Sequence, residues 1–300
     1  MSTQDKLKRR VDLIGVSSGR GGHDHRSGLG PNALEREGVV SWVRDAAFEA
    51  SWREIRPKAL QPEQTEALDV VVDVCSQLAE AVRLSTAAGA LPVVLGGDHS
   101  CAIGTWNGVY AALNEAGPLG LLWIDAHMDS HTPESSPSGN YHGMPVAHLL
   151  GHGAPELIRL SQPGPPLLPQ HTCLVGVRSF EPEEPALLAR VGVRVYLMDE
   201  VRRRGLETVL REALAVVSRE TAGYGISLDL DALDPIEVPG TGSPVADGIR
   251  TAELIPVLGG FAHSPRLLGV EIAEFNPALD RGGTTVAVIR NLLLAVLSGG

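Results

Sequence analysis

Short, nearly uninterrupted apolar runs recur along the chain at residues 11–16, 91–95, 119–124, 172–177, 193–198, 224–230 and 266–272. Each has the length of a strand, and the near-absence of polar alternation predicts burial on both faces. Between them lie segments rich in Ala, Leu, Glu and Arg at helical spacing, among them 64–88, 185–191 and 205–221. Strands alternating with helices predict an α/β fold, a mostly parallel sheet with helices on both sides. Residues 35–54 include a stretch of helical spacing, in which Trp42 and Trp52 are expected to pack. The stretch SQPGPPLLPQ at 161–170 reads as a loop rather than an interdomain linker, because the alternation continues on either side. One domain over 1–300 is expected.

Composition narrows the function classes. Apolar residues make up 43% of the 300, enough for a large core. Twenty-five basic against thirty-six acidic residues give −11, and the basic runs at 6–10 and 202–204 are short. Nucleic acid is therefore not an expected partner. Cys75, Cys101 and Cys173 are widely spaced with no CxxC pair, which fits a reducing compartment; Cys101 reads as a small buried side chain. No signal-peptide apolar region follows MSTQDKLKRR, and no apolar run approaches the ~20 residues of a membrane span. The expectation is a cytoplasmic chain without a membrane partner.

Ligands of open α/β sheets bind at the carboxyl ends of the strands, and three of these ends carry unusual polar clusters. LPVVLGGDHS ends in Asp98, His99 and Ser100; LGLLWIDAHMDSH carries Asp125, His127 and Asp129; GISLDLDALDP carries Asp229 and Asp231. Alternation at a strand end is expected to put Asp125, His127 and Asp129 on one side. Two imidazoles and four carboxylates gathered together would repel unless cations joined them. Two divalent ions would cancel the carboxylate charge, as in two-metal hydrolytic sites. No thiolate belongs to these motifs, so mixed oxygen and imidazole ligation suits manganese, with iron, cobalt, nickel and zinc also open.

GGDHS, DAHMD and SLDLDALDP, in this order, resemble the ureohydrolases, the family of arginase and agmatinase, and the resemblance runs from about Gly15 to Leu294. It implies a three-layer α/β/α fold with an eight-stranded, mostly parallel sheet, two Mn(II) ions per subunit, and guanidino hydrolysis by a metal-bridging hydroxide. It places His99, Asp125, Asp129 and Asp229 on one metal, and His127 and Asp231 on the other, with Asp125 and Asp229 bridging. Glu274, in GVEIAEFNP, matches the guanidinium-binding glutamate, Asp129 can relay a proton, and His142, in SGNYHGMP, matches the proton-shuttling histidine.

The stretch from Asp125 to Val146 resembles arginases more than agmatinases, with Ser138 and Asn140 matching residues that read an α-carboxylate. VGVRSFEPEE matches the segment holding the α-amino group, through Glu181 and Glu184, and Ser243 lies in GTGSP, which resembles a loop lining the same pocket. His131 stands where arginases commonly have an asparagine, and Glu181 where they commonly have an aspartate. L-Arginine is the implied substrate; agmatine, guanidinobutyrate, guanidinopropionate or guanidine is the alternative. A two-metal phosphoesterase would need Arg or Lys near the metals, where Glu181, Glu184 and Glu274 stand instead. The resemblance also implies a homo-oligomer, trimeric or hexameric. The glycine-rich segment 20–28, with His23 and His25, is expected near the substrate entrance, whereas His148 and His152 read as structural.

Overall fold

Alternate side chains of the central strands enter two separate cores. Leu13, Val93, Leu95, Leu122 and Ile124 pack into one; Ile14, Val94, Leu121 and Trp123 pack into the other. This is what continuous apolar runs require: a strand apolar at every position is stable only with cover on both faces. In the computed structural model, which describes residues 10–58, 66–114, 116–161, 164–261 and 264–298, that cover is helical. Helices Leu206–Ser218, Thr251–Gly259 and Thr284–Ser298 serve the first core, and Ala67–Ala87 and Ala102–Leu113 the second.

The strands are β1 (Arg10–Val16), β2 (Glu49–Ile55), β3 (Leu91–Leu95), β4 (Leu119–Ile124), β5 (Leu167–Val177), β6 (Arg194–Leu197), β7 (Gly223–Asp229) and β8 (Leu267–Ala273). They form one parallel sheet in the order β2-β1-β3-β8-β7-β4-β5-β6. From β3 the chain crosses to β4 on the far side of β8 and β7, so the four middle strands bracket a reversal of winding. The crevice beyond their carboxyl ends is where such a sheet binds its ligand.

The helical stretch within 35–54 is Val39–Asp45, preceded by Gly30–Arg36, and β2, not expected from the sequence, follows it. That strand lies at the sheet edge, and its exposure alternates along EASWREI, so it lacks the apolar continuity that marks the interior strands. The 161–170 loop is shorter than expected, since β5 begins at Leu167 and pairs there with Leu119 of β4 across a register shift. The basic residues at 6–9, the start of the 64–88 helix and residues 162–163 lie outside the described residues. No helix among those described is long and apolar enough to cross a membrane.

Candidate metal centre and substrate cleft

Four neighbouring strands deliver the site. His99 follows β3, Asp125 follows β4, Asp229 ends β7, and Glu274 follows β8. His99 Nδ1 lies 3.2 Å from Asp125 Oδ2, 3.2 Å from Asp129 Oδ2 and 3.0 Å from Asp229 Oδ2. His127 Nδ1 lies 3.0 Å from Asp231 Oδ2 and 3.6 Å from Asp125 Oδ1. The ligand atoms thus fall into two groups: His99, Asp125, Asp129 and Asp229, and Asp125, His127 and Asp231. Asp125 belongs to both. Asp229 falls in the first group through Oδ2, and its Oδ1 accepts the Asp231 N–H at 2.8 Å, on the side of the second.

The gathering of Asp125, His127 and Asp129 is not strand alternation. β4 ends at Ile124, and Asp129 takes φ 49°, a left-handed conformation that turns its carboxylate back onto His99. Glu274 also has positive φ, 68°. Non-glycine residues in this region are uncommon and gather at functional sites.

The donor set fits divalent cations. His99 Nδ1 and Asp129 Oδ2 are buried and make no hydrogen bond. The opposite nitrogen, Nε2, meets Ser227 Oγ at 2.9 Å, and that hydroxyl meets Glu271 Oε1 at 2.9 Å. If Ser227 donates to the carboxylate, Nε2 carries the proton and the Nδ1 lone pair points into the carboxylates, the orientation seen in metal-ligating histidines. The His99 ring stacks on Trp123 with centroids 4.1 Å apart, and the Trp123 indole N–H donates to Asp125 Oδ2 at 2.9 Å.

Charge points the same way. Burial raises the pKa values of Asp129, Asp229 and Asp231, and the Asp125 charge adds to each. Burial alone would lower His99, but Asp125, Asp129 and Asp229 hold it well above the ordinary histidine range. Without cations, protons have to take up the charge of these carboxylates.

Glu274 is buried, and its Oε1 accepts the His99 backbone N–H at 2.9 Å and lies 3.1 Å from His142 Nδ1. Oε2 lies beside Gly242 of the GTGSP loop. Burial disfavours the His142 cation, yet Glu274, with Asp129 and Asp98, raises its pKa to about 9. The glycine-rich segment does reach the site: Gly21 N–H donates to Asp98 Oδ2 at 3.0 Å, Gly21 C=O accepts the His142 N–H at 3.0 Å, and the His23 ring tilts toward His142.

A cleft of about 190 Å³ runs outward from the cluster, lined by His127, Asp129, Asp229, Asp231 and His142 at one end. His131, Ser138, Glu181, Glu184 and Ser243 line the rest, with no Arg or Lys among them. Asn140 donates its N–H to Ser138 Oγ at 3.2 Å but is not among the lining residues. His131 Nε2 lies 3.0 Å from Glu181 Oε2, and its hydrogen bond holds Glu181 below the usual carboxylate range. A larger surface cavity, about 750 Å³ around Arg202, Glu207 and Arg250, lies away from these strand ends and contains none of the metal-ready groups. Chemistry rather than size singles out the smaller cleft.

Ser227, Glu271 and Trp123 were not singled out in the sequence. The available signal was a glutamate inside the apolar run 266–272, three residues before Glu274. Arg178 has a structural role: its guanidinium donates to Asp231 C=O at 2.7 Å and Val245 C=O at 2.9 Å, fixing the loop that carries Asp231. His148 is likewise structural, bridging Met144 C=O and the Ala154 N–H. Cys75, Cys101 and Cys173 are buried free thiols.

Residues 9–298 match the profile of the Arginase family. The arginase of Brevibacillus brevis is 35% identical over 295 residues, covering 97% of this chain and 98% of that one. The crystal structure of Bacillus subtilis arginase superposes with a TM-score of 0.88 at 32% identity, covering 96% of this chain and 98% of that one. Entamoeba histolytica arginase, solved in complex with L-ornithine, superposes with a TM-score of 0.88 at 27% identity, covering 97% and 99%.

Proposed function

Because the chain belongs to the arginase family and is a hydrolase of guanidino C–N bonds, we propose that it converts L-arginine and water to L-ornithine and urea. One observation carries this reading. A carboxylate-lined cleft without Arg or Lys joins the two metal-ready clusters to Glu181 and Glu184, so it suits a guanidinium at one end and an ammonium group at the other.

His99, Asp125, Asp129 and Asp229 would hold one Mn(II), and His127 and Asp231 the other, with Asp125 and Asp229 shared between them. When bound, the pair lowers the pKa of a coordinated water and supplies hydroxide at neutral pH. Glu274 spends Oε1 on His99 and His142, which leaves Oε2 for a guanidinium N–H and turns the planar cation toward the cluster. Glu274 favours the protonated form of His142, which lies at the cleft wall, where it can give its proton to the departing nitrogen. Asp129 would relay a proton from the attacking water toward the departing nitrogen. At the outer end Glu181 and Glu184 would receive the α-ammonium, and Ser138, Ser243 and His131 line the space for the α-carboxylate, with Asn140 donating its N–H to Ser138 from behind.

The reading also carries a cytoplasmic location and a trimer or hexamer. The exposed Phe180 and Leu197, which share a second surface cavity, support such association. The test is urea release by manganese-loaded protein from L-arginine, agmatine, 4-guanidinobutyrate, 3-guanidinopropionate and guanidine. Arginine should lead by about 100-fold in kcat/KM, or ~2.7 kcal/mol of transition-state discrimination. Preference for another compound would assign the outer end of the cleft to a different head group.

A further inference from the structure

A third cluster of metal-ligating atoms lies at the outer end of the cleft. His131 Nε2 is 3.0 Å from Glu181 Oε2 and 3.5 Å from Glu184 Oε2, and the three ligand atoms lie within 4.8 Å of one another. These separations match those around His99 and His127, at 3.0–3.6 Å. Tetrahedral zinc, with bonds of about 2.0–2.2 Å, places its ligand atoms roughly 3.4 Å apart.

Two of the three ligands are fixed and buried. Glu184 accepts the Ser130 N–H at 3.1 Å through Oε1 and the Glu181 N–H at 3.1 Å through Oε2. His131 Nδ1 meets Ser135 Oγ at 3.1 Å, and that oxygen is held by the Thr132 N–H at 2.9 Å. A serine on the ring nitrogen turned away from the carboxylates is the arrangement already seen at His99. Unlike His99 Nδ1, His131 Nε2 is hydrogen-bonded to Glu181, so a cation would take the place of the Nε2 proton, with Nδ1–H then donating to Ser135. Glu181, half exposed, closes the group at the cleft wall.

We propose that His131, Glu181 and Glu184 form a third divalent-cation site, suited to zinc, whose filling excludes substrate from the outer end of the cleft. One imidazole and two carboxylates make three protein ligands, the number that leaves zinc an open position. A cation there removes the negative charge that an α-ammonium would meet and takes up its space. The site rests on geometry alone; its effect on turnover rests on the arginine reading above.

The test is equilibrium dialysis of the full chain against Zn²⁺, with total bound metal counted per chain. Wild type should bind three ions, one for each group. His131→Asn and Glu184→Gln should each bind two while keeping the wild-type circular dichroism spectrum. Glu181→Gln, at the half-exposed position, carries the test if either buried variant fails to fold. With manganese-loaded enzyme, Zn²⁺ inhibition should be competitive with arginine and at least tenfold weaker in His131→Asn. Two ions on wild type, or equal counts on wild type and on every folded variant, would overturn the site. Loss of the third ion without hydrolysis of any guanidino compound would leave the site standing and defeat the proposed function instead.

Discussion

Glu274 serves three partners from one carboxylate: the His99 backbone, the His142 ring and, in the proposed reaction, the guanidinium. Glu274→Gln keeps the shape and removes the charge. Its kcat/KM for arginine should fall at least 100-fold, ~2.7 kcal/mol, with bound metal unchanged. Lower metal content would show instead that Glu274 supports the cluster through His99. His142 makes a pH prediction in the metal-free protein. Its folded pKa, about 9, lies above the ordinary ~6.5, so its stabilising contribution is complete below about pH 6.5 and disappears as pH rises through 9. The contribution is at most ~3 kcal/mol. Urea unfolding from about pH 6 to pH 10 should show that loss in wild type, and His142→Asn should flatten it. Equal slopes in the two proteins would remove the His142–Glu274 pair as its source.

At the scale of elements, seven strands were legible because their apolar runs are continuous, and each of the seven predicted runs overlaps a strand. β2 was not, because an edge strand needs one covered face and its polar positions imitate helical spacing. The metal-ligand candidates were legible as strand ends rich in Asp and His. The partners behind them were not, since Ser227 and Glu271 gain meaning only when β7 and β8 are neighbours in register. The turn after β3 illustrates the same dependence. Asp98 N–H donates to Ser18 C=O at 3.1 Å, and a Cβ on Gly97 would overlap that carbonyl oxygen. Gly97→Ala must part the ends of β1 and β3, and should cost about 2–4 kcal/mol in unfolding free energy along with metal affinity. An unchanged melting temperature would mean that the two loops tolerate separation.

For the whole molecule, the sheet order gathers side chains far apart in sequence into one buried anionic centre, and the fold bears the electrostatic cost until cations arrive. Chelation should therefore lower the melting temperature by about 5 °C or more, and manganese should restore it. Asp125→Asn, which weakens the carboxylate common to both groups, should blunt that recovery. A melting temperature indifferent to chelation would mean that the cluster does not hold cations tightly.

The central claim is that this centre hydrolyses a guanidino group, and product analysis tests it most directly. Purified chain, stripped and then loaded with manganese, should convert L-arginine to urea and L-ornithine in equal amounts, and both products should vanish in Asp125→Asn. Urea without ornithine, equal turnover in the Asp125 variant, or no urea from the metal-loaded wild type would contradict it.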